Sequence, residues 1–216
     1  MARRATSDEQ KQQRRETILE TARRLYADRT YDEVDVATIA SESGIAKGTV
    51  YLYFGTKEEI FLELARRASR EWVEGMKRGL GYPAVRHSIP KVVHLFGQTL
   101  RERPELLRLI PILHTTLEGN SSADAILGLR QEMQENFGEL GILLEDQLGF
   151  LLPGEGVMLV TRAHALVIGL SHIAEPTPVA AEILRRDDMK IFRIDLSQAI
   201  AEMLTVMLMG LKGRGK

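Results

Sequence analysis

Six residues in a short stretch carry chemistry of one kind: Lys47, Gly48, Thr49, Tyr51, Tyr53 and Lys57. A lysine ammonium pairs with a phosphate or with the acceptor edge of a guanine, and threonine and tyrosine hydroxyls donate to phosphate oxygens. A glycine among them lets backbone approach a partner closely, because it presents no side chain. Nothing in this set activates a nucleophile or holds a metal. The five histidines, His87, His94, His114, His164 and His172, have no ligand spacing backed by carboxylates. HExxH, GxSxG, the phosphate-binding P-loop and the dinucleotide glycine turn are all absent from the sequence. The expected chemistry is recognition of a polyanion, with neither catalysis nor a cofactor.

Such residues act only if a fold presents them together. Asp35 is a good N-cap for a short helix through Ser43, with Val36, Ile39 and Ala40 inward and Thr38 near the outer side. Gly44 suits the left-handed residue that ends it. A third helix is expected from about Ala46 to Phe54, with Val50 and Phe54 in the core and Tyr51 and Tyr53 off that stripe. Helix, glycine turn and helix make the helix-turn-helix plan, whose second helix enters the major groove of DNA. Before it, Ser7-Asp8-Glu9-Gln10 reads as a capping box opening a first helix to Asp28–Thr30. After it, Thr56-Lys57-Glu58-Glu59 opens a long helix to about Arg78, stopped by Gly79, Gly81 and Pro83.

Residues 12–64 resemble the N-terminal domain of the TetR family of repressors. The likeness lies in RRETILETARRLYADRTYDEVDVATIA, in SGIAKGTVYLYF and in the following TKEEIF. It implies a regulator that binds a palindromic double-stranded DNA operator as a homodimer and releases it when a small molecule enters the C-terminal domain. It places DNA contacts at Lys47, Gly48, Thr49, Tyr51 and Tyr53, with Lys57 at the start of the fourth helix. One departure stands out. Members often have Thr or Ser at the position of Asp35 and Arg at that of Ala37. The second helix should therefore clamp phosphate more weakly here, with more weight on Thr38, Arg3 and Arg4.

The remaining sequence predicts helices over 88–102, 104–117, about 121–148, 155–173, a short one after Thr177-Pro178, and one from Asp195 to about Leu211. Lys190 to Ile194 could be extended. Pro111 should kink or break the 104–117 helix. No strand alternation is long enough for a sheet, so the class is all-α: an N-terminal three-helix helix-turn-helix domain over 1–58 and a C-terminal helical ligand-binding and dimerisation domain over 59–216. The last helix is apolar almost all round, which predicts burial all round and hence a partner subunit. Val157, His164, Met203, Met207, Leu208 and Leu211 are the expected dimer contacts. Polar groups within apolar helices orient ligands. A small apolar or amphipathic effector is therefore expected near His94, Arg108, His114, Arg162 and His172, beside Leu109, Met133, Phe137 and Leu166.

Composition sets the outer bounds. The net charge is −1, so any DNA surface must be a local patch. Residues 1–24 hold seven cations against four anions. Without cysteine there is no disulfide scaffold, thiolate metal site or thiol catalysis, which fits a cytoplasmic setting. Neither a signal peptide nor a run of about 18 apolar residues is apparent, so no membrane association is expected. The competing reading is a DNA-bound scaffold that recruits another protein without sensing a ligand.

Overall fold

A computed structural model describes residues 2–174 and 176–214, and of residues 2–7 and 178 the backbone alone. Among the described residues every regular element is helical. The chain divides into two compact units, residues 1–67 with 112–129, and residues 68–111 with 130–216.

In the first unit, α1 (Ala2–Asp28) lays Ile18, Leu19, Ala22, Leu25 and Tyr26 into the core. The helix already runs at Ala2, so Ser7–Gln10 lies inside it and is not its start. Arg3 and Arg4 fall outside the residues whose side chains are described. α2 (Val36–Ser43) begins as its cap predicts: Asp35 Oδ1 accepts the Thr38 amide at 2.7 Å. It ends at Gly44, with φ of 68°, a conformation that favours glycine. The Ile45 amide then returns to the Ala40 carbonyl at 3.0 Å, closing the turn.

α3 is shorter than the pattern suggested. Only Lys47–Val50 is α-helical. The chain then winds through turns, with Leu52 N donating to Thr49 O and Tyr53 N to Val50 O. These i→i+3 bonds tighten the helix end, and Val50 and Phe54 still reach the core.

α4 (Lys57–Leu80) carries its predicted inner face, Phe61, Leu64, Ala65, Ala68, Trp72 and Met76, into the two cores. Gly79 is inside the helix and does not stop it. Within the first unit, Tyr26 and Tyr31 meet Phe61 edge-on at 5.2 and 4.9 Å. Arg67 grips Glu16 with two nitrogens, at 2.5 and 2.7 Å, and Glu63 pairs with Arg15 and Arg66.

The second unit is a bundle of the rest of α4 with α5 (Ile89–Arg101), α6 (Pro104–Ile112) up to Pro111, α7 (Ala123–Leu148) from Arg130 on, α8 (Glu155–Ala174) and α10 (Leu196–Gly213). Trp72 stacks edge-on to Phe96 at 5.2 Å, and its indole N–H donates to Thr99 Oγ1 at 3.1 Å. α7 and α8 touch backbone to backbone. A Cβ on Gly156 would lie 2.0 Å from the Gly141 carbonyl oxygen, and one on Gly141 would lie 2.4 Å from the Val157 nitrogen. Beside this contact Glu145 Oε1 accepts the amides of Gly154 and Gly156, at 2.8 and 2.9 Å.

Three expectations change here. The helix holding Pro111 is not α-helical to residue 117. It gives way after Ile112 to a wider π turn over Leu113–Leu117, the expected place for a break where Pro111 donates no amide. Residues 187–192 form a 3₁₀ turn, so the extended reading of Lys190 to Ile194 fails over Lys190–Phe192. α8 is long and apolar enough to cross a membrane by length and composition. Its alternate faces matter more: Leu159, Val160, Ala163, Val167 and Leu170 turn into the bundle core. The short α9 (Pro178–Leu184) is capped by Thr177, and α10 by Asp195, both as the sequence indicates.

Candidate functional site

The α3 segment sorts its residues cleanly. Val50 and Phe54 are buried, while Lys47, Gly48, Tyr51 and Leu52 are exposed and Thr49 and Tyr53 half-buried. With α-helical spacing carried through the turns, the exposed residues fall on one arc around Gly48, with Tyr51 and Leu52 to either side and Lys47 at one margin, and half-buried Thr49 borders the other. Tyr51 is 46% exposed and Leu52 80%. Leu52 was not among the expected contacts. Its type suggested core, and only the position of the arc reveals it.

The neighbours of α3 are held firmly. Thr38 is half-buried, and its amide and hydroxyl face the Asp35 carboxylate and keep it below its usual range. Lys57 does not stand free as a phosphate contact would suggest. Its Nζ donates to the Tyr31 carbonyl at 2.7 Å and lies 3.7 Å from the Tyr31 ring centre, and burial lowers its pKa. The Tyr31 hydroxyl donates to Glu58 at 2.7 Å, and burial followed by that carboxylate raises the phenol strongly. Three arginines of the basic start are similarly committed. Arg15 pairs with Glu63, Arg23 with Glu20 and Arg24 with Glu42.

Glu59 joins three segments of the same unit. Its amide donates to Thr56 Oγ1 at 3.1 Å, the predicted cap. Its carboxylate accepts the Gly55 amide at 2.8 Å through Oε2 and the Ser122 amide at 3.1 Å through Oε1. Thr56 Oγ1 in turn donates to the Asn120 carbonyl at 3.1 Å. The exit of α3, the start of α4 and the start of α7 are thus tied by one capping box.

In the second unit a cavity of about 20 Å³ lies among Met76, Val92, Val93, Phe96, Leu140, Leu144, Leu159, Val160, Ala163, Leu204 and Leu208. Every lining side chain is apolar. That volume is about one water molecule, and without polar partners it stays dry. None of the nine residues expected around an effector lines it. His94, Arg162 and His172 are exposed, because each sits on the outward side of a helix whose inner side is filled by its neighbours. Leu109 is buried, while Arg108, Met133, Phe137 and Leu166 are half-buried. Phe137 packs on the ring of His164 at 5.5 Å. His114 belongs to the first unit, where Nδ1 lies 3.0 Å from Glu118 Oε1. The polar residues singled out in the sequence do not mark this cavity. Its lining is indistinguishable in sequence from core.

The outer face of α8 and α10 is rich in apolar side chains, with Arg162 and Glu202 exposed among them. Met203, Val206 and Met209 are exposed on α10, and Met158 and Ile173 on α8, with Val157, His164, Met207 and Leu211 half-buried. The last helix is therefore not buried all round within the subunit. Only Ile200, Leu204 and Leu208 are. Leu208, expected at a dimer contact, is 1% exposed and faces the cavity, so it is withdrawn from that face.

A helix-turn-helix that exposes a cation and a tyrosine, joined to a helical bundle around an apolar cavity, defines a transcriptional regulator of the helix-turn-helix class. Residues 18–64 match the family model for bacterial regulatory proteins of the tetR family, and residues 66–215 that for a tetracyclin repressor-like C-terminal domain. The chain belongs to the TetR family of transcriptional regulators. It is similar to the fatty acid metabolism regulator protein of Bacillus subtilis, 33% identical over 63 residues, which are 29% of this chain and 32% of that protein. It is also similar to the HTH-type transcriptional repressor AcnR of Corynebacterium efficiens, 37% identical over 70 residues, 32% of this chain and 37% of that one. The chain thus spans about a third of the length of these curated relatives. Among solved structures, the TetR family repressor AlkX from Dietzia superposes with a TM-score of 0.58 at 14% identity, covering 92% of this chain and 95% of that one. The fatty acid degradation regulator FadR from Bacillus halodurans gives 0.55 at 17%, covering 90% and 97%. These two likenesses concern the fold.

Proposed function

We propose that the protein is a homodimeric repressor that reads an inverted-repeat operator with α3 and yields it when an apolar effector occupies the C-terminal bundle. The observation that carries this reading is the exposed arc of α3. Lys47 and Tyr51 stand outward while Val50 and Phe54 fix the segment from behind. Thr49 reaches phosphate from the border of that arc and half-buried Tyr53 from beyond it, and Thr38 supports it from α2. Lys57 contributes as a positioning residue that holds the Tyr31 connector against the start of α4.

The dimer forms through α8 and α10, whose outward side chains Met158, Met203, Val206 and Met209 are apolar and exposed. Two-fold pairing there presents two recognition helices about 34–36 Å apart, or a longer multiple of the DNA turn. The effector is hydrocarbon in its buried part, because the cavity offers no hydrogen bond. At about 20 Å³ the cavity admits it only by expanding, so occupancy and a change of helix packing are one event.

The test is selection of bound duplexes from a random pool, followed by sedimentation. The expected result is an inverted repeat bound by a dimer, with binding lost in the Lys47→Ala/Tyr51→Ala variant at unchanged far-UV circular dichroism. Unchanged binding by that variant would refute the assignment of α3.

A further inference from the structure

We infer that Leu52 reads the 5-methyl group of thymine in the major groove, and so sets operator preference at one position of each half-site. The inference rests on the reading of α3 as the DNA-contacting helix and deepens it. Two separate observations point to it.

The first is Leu52 itself. It is 80% exposed on the same arc as Lys47, Gly48 and Tyr51, whereas its neighbours in sequence, Val50 and Phe54, are buried. A solitary exposed leucine is ordinary on a protein surface. One on the arc that would enter a groove meets base edges, and the thymine methyl is the apolar group those edges display.

The second is Gly48, at the centre of the arc. Its φ is not in the left-handed region, and a Cβ built there would meet nothing within 4 Å. The fold therefore gains nothing from a glycine at this helical position, where alanine is the better residue. What the missing side chain does permit is close approach by something outside the chain. With Gly48 bare, the flanking side chains of Tyr51 and Leu52 extend beyond the backbone and are the groups that reach the groove floor. Tyr51 brings a hydroxyl for a polar acceptor. Leu52 brings only methyl groups, and water-excluding contact with a thymine methyl is what it can offer.

The experiment uses the full chain and the duplex enriched from a random pool. That duplex is resynthesised with deoxyuridine in place of thymidine, one symmetric pair of positions at a time. Uracil keeps every hydrogen-bonding group of thymine and lacks only the methyl. Affinity is read by fluorescence anisotropy. One pair of positions is expected to weaken by about fourfold per methyl removed, the factor for one buried methyl-sized group. Leu52→Ala should bind the thymine and uracil duplexes equally, with an unchanged melting temperature, since an 80% exposed side chain leaves no cavity behind. Lys47→Ala should weaken both duplexes and keep the thymine preference. If the wild type is indifferent to uracil at every position, or if Leu52→Ala retains the full preference, the inference is overturned while the DNA reading stands. If no duplex enriches at all, both are overturned.

Discussion

Replacing Gly48 by alanine should make the protein more stable and a worse DNA binder. An added Cβ would meet no atom within 4 Å, so no steric penalty arises within the chain. Alanine is favoured over glycine in helices by about 0.5–1 kcal/mol, and a position in a helix of one turn earns the lower end, about 0.5 kcal/mol. For a chain of this size that raises the melting temperature by about 1–2 °C. Bound DNA reverses the sign. The same methyl stands at the middle of the arc formed by Lys47, Tyr51 and Leu52, and it holds the backbone away from the groove. Forcing an extra methyl into a close-packed contact costs roughly 1–3 kcal/mol, which is about a 5- to 150-fold loss of affinity. Differential scanning calorimetry of the free protein and anisotropy titration of a labelled operator duplex measure the two effects. A Gly48→Ala variant that binds operator as tightly as wild type would refute the argument that an external surface requires this glycine. A variant that melts lower would refute the open space around it.

Three further outcomes follow from the geometry. Val206→Glu, at a side chain 71% exposed, should leave the subunit folded and convert dimer to monomer in sedimentation velocity, with operator binding lost in parallel; a Val206→Glu dimer would move the interface elsewhere. Leu204→Ala should enlarge the apolar cavity and destabilise by about 2–5 kcal/mol in urea unfolding, whereas a change below about 1 kcal/mol would mean the bundle collapses into the space. Glu59→Gln replaces one accepting oxygen by a donor and must break the bond to Gly55 or to Ser122. Operator binding is expected to slow hydrogen exchange at Ser122 in wild type and not in Glu59→Gln, and equal protection in both would deny the link. Burial raises the Glu59 pKa, but the bonds from Ser122 and Gly55 outweigh it and leave the group below its ordinary value of 4.5. Its contribution to stability is therefore complete above that value and is lost as pH falls through the lower folded pKa, so acid unfolding of Glu59→Gln should be the less steep of the two.

Elements with strong local chemistry were readable in the sequence. Asp35, Gly44, Thr56, Thr177 and Asp195 each mark a boundary by a cap that the structure contains, because capping depends on residues three or four apart. The α4 stripe was readable for the same reason. Ser7 to Gln10 misled because a capping pattern also occurs inside a helix, where the backbone amides it would serve are already bonded. The exposed arc of α3 was legible except at Leu52, whose type argues for core. The apolar cavity was not legible. Its walls come from five helices, and what makes them a cavity is a packing shortfall of about 20 Å³ that no residue type signals. Leu208 failed as a dimer contact because an all-apolar helix does not announce which of its faces turns inward.

The contact between Gly141 and Gly156 constrains how the bundle can breathe. With two backbones already touching there, and with Glu145 fastening the amides of Gly154 and Gly156, α7 and α8 can come no closer at this corner. The other walls are α4, through Met76, α5, through Val92, Val93 and Phe96, and α10, through Leu204 and Leu208. On the proposed reading, a guest that inflates the interior must part some of these walls. Because α10 lines the cavity with Leu204 and Leu208 and bears Met203, Val206 and Met209 on its far side, expansion of the interior against α10 would reach the face proposed for subunit pairing. If that face pairs two subunits as proposed, the size of the guest and the strength of subunit association are coupled through one helix.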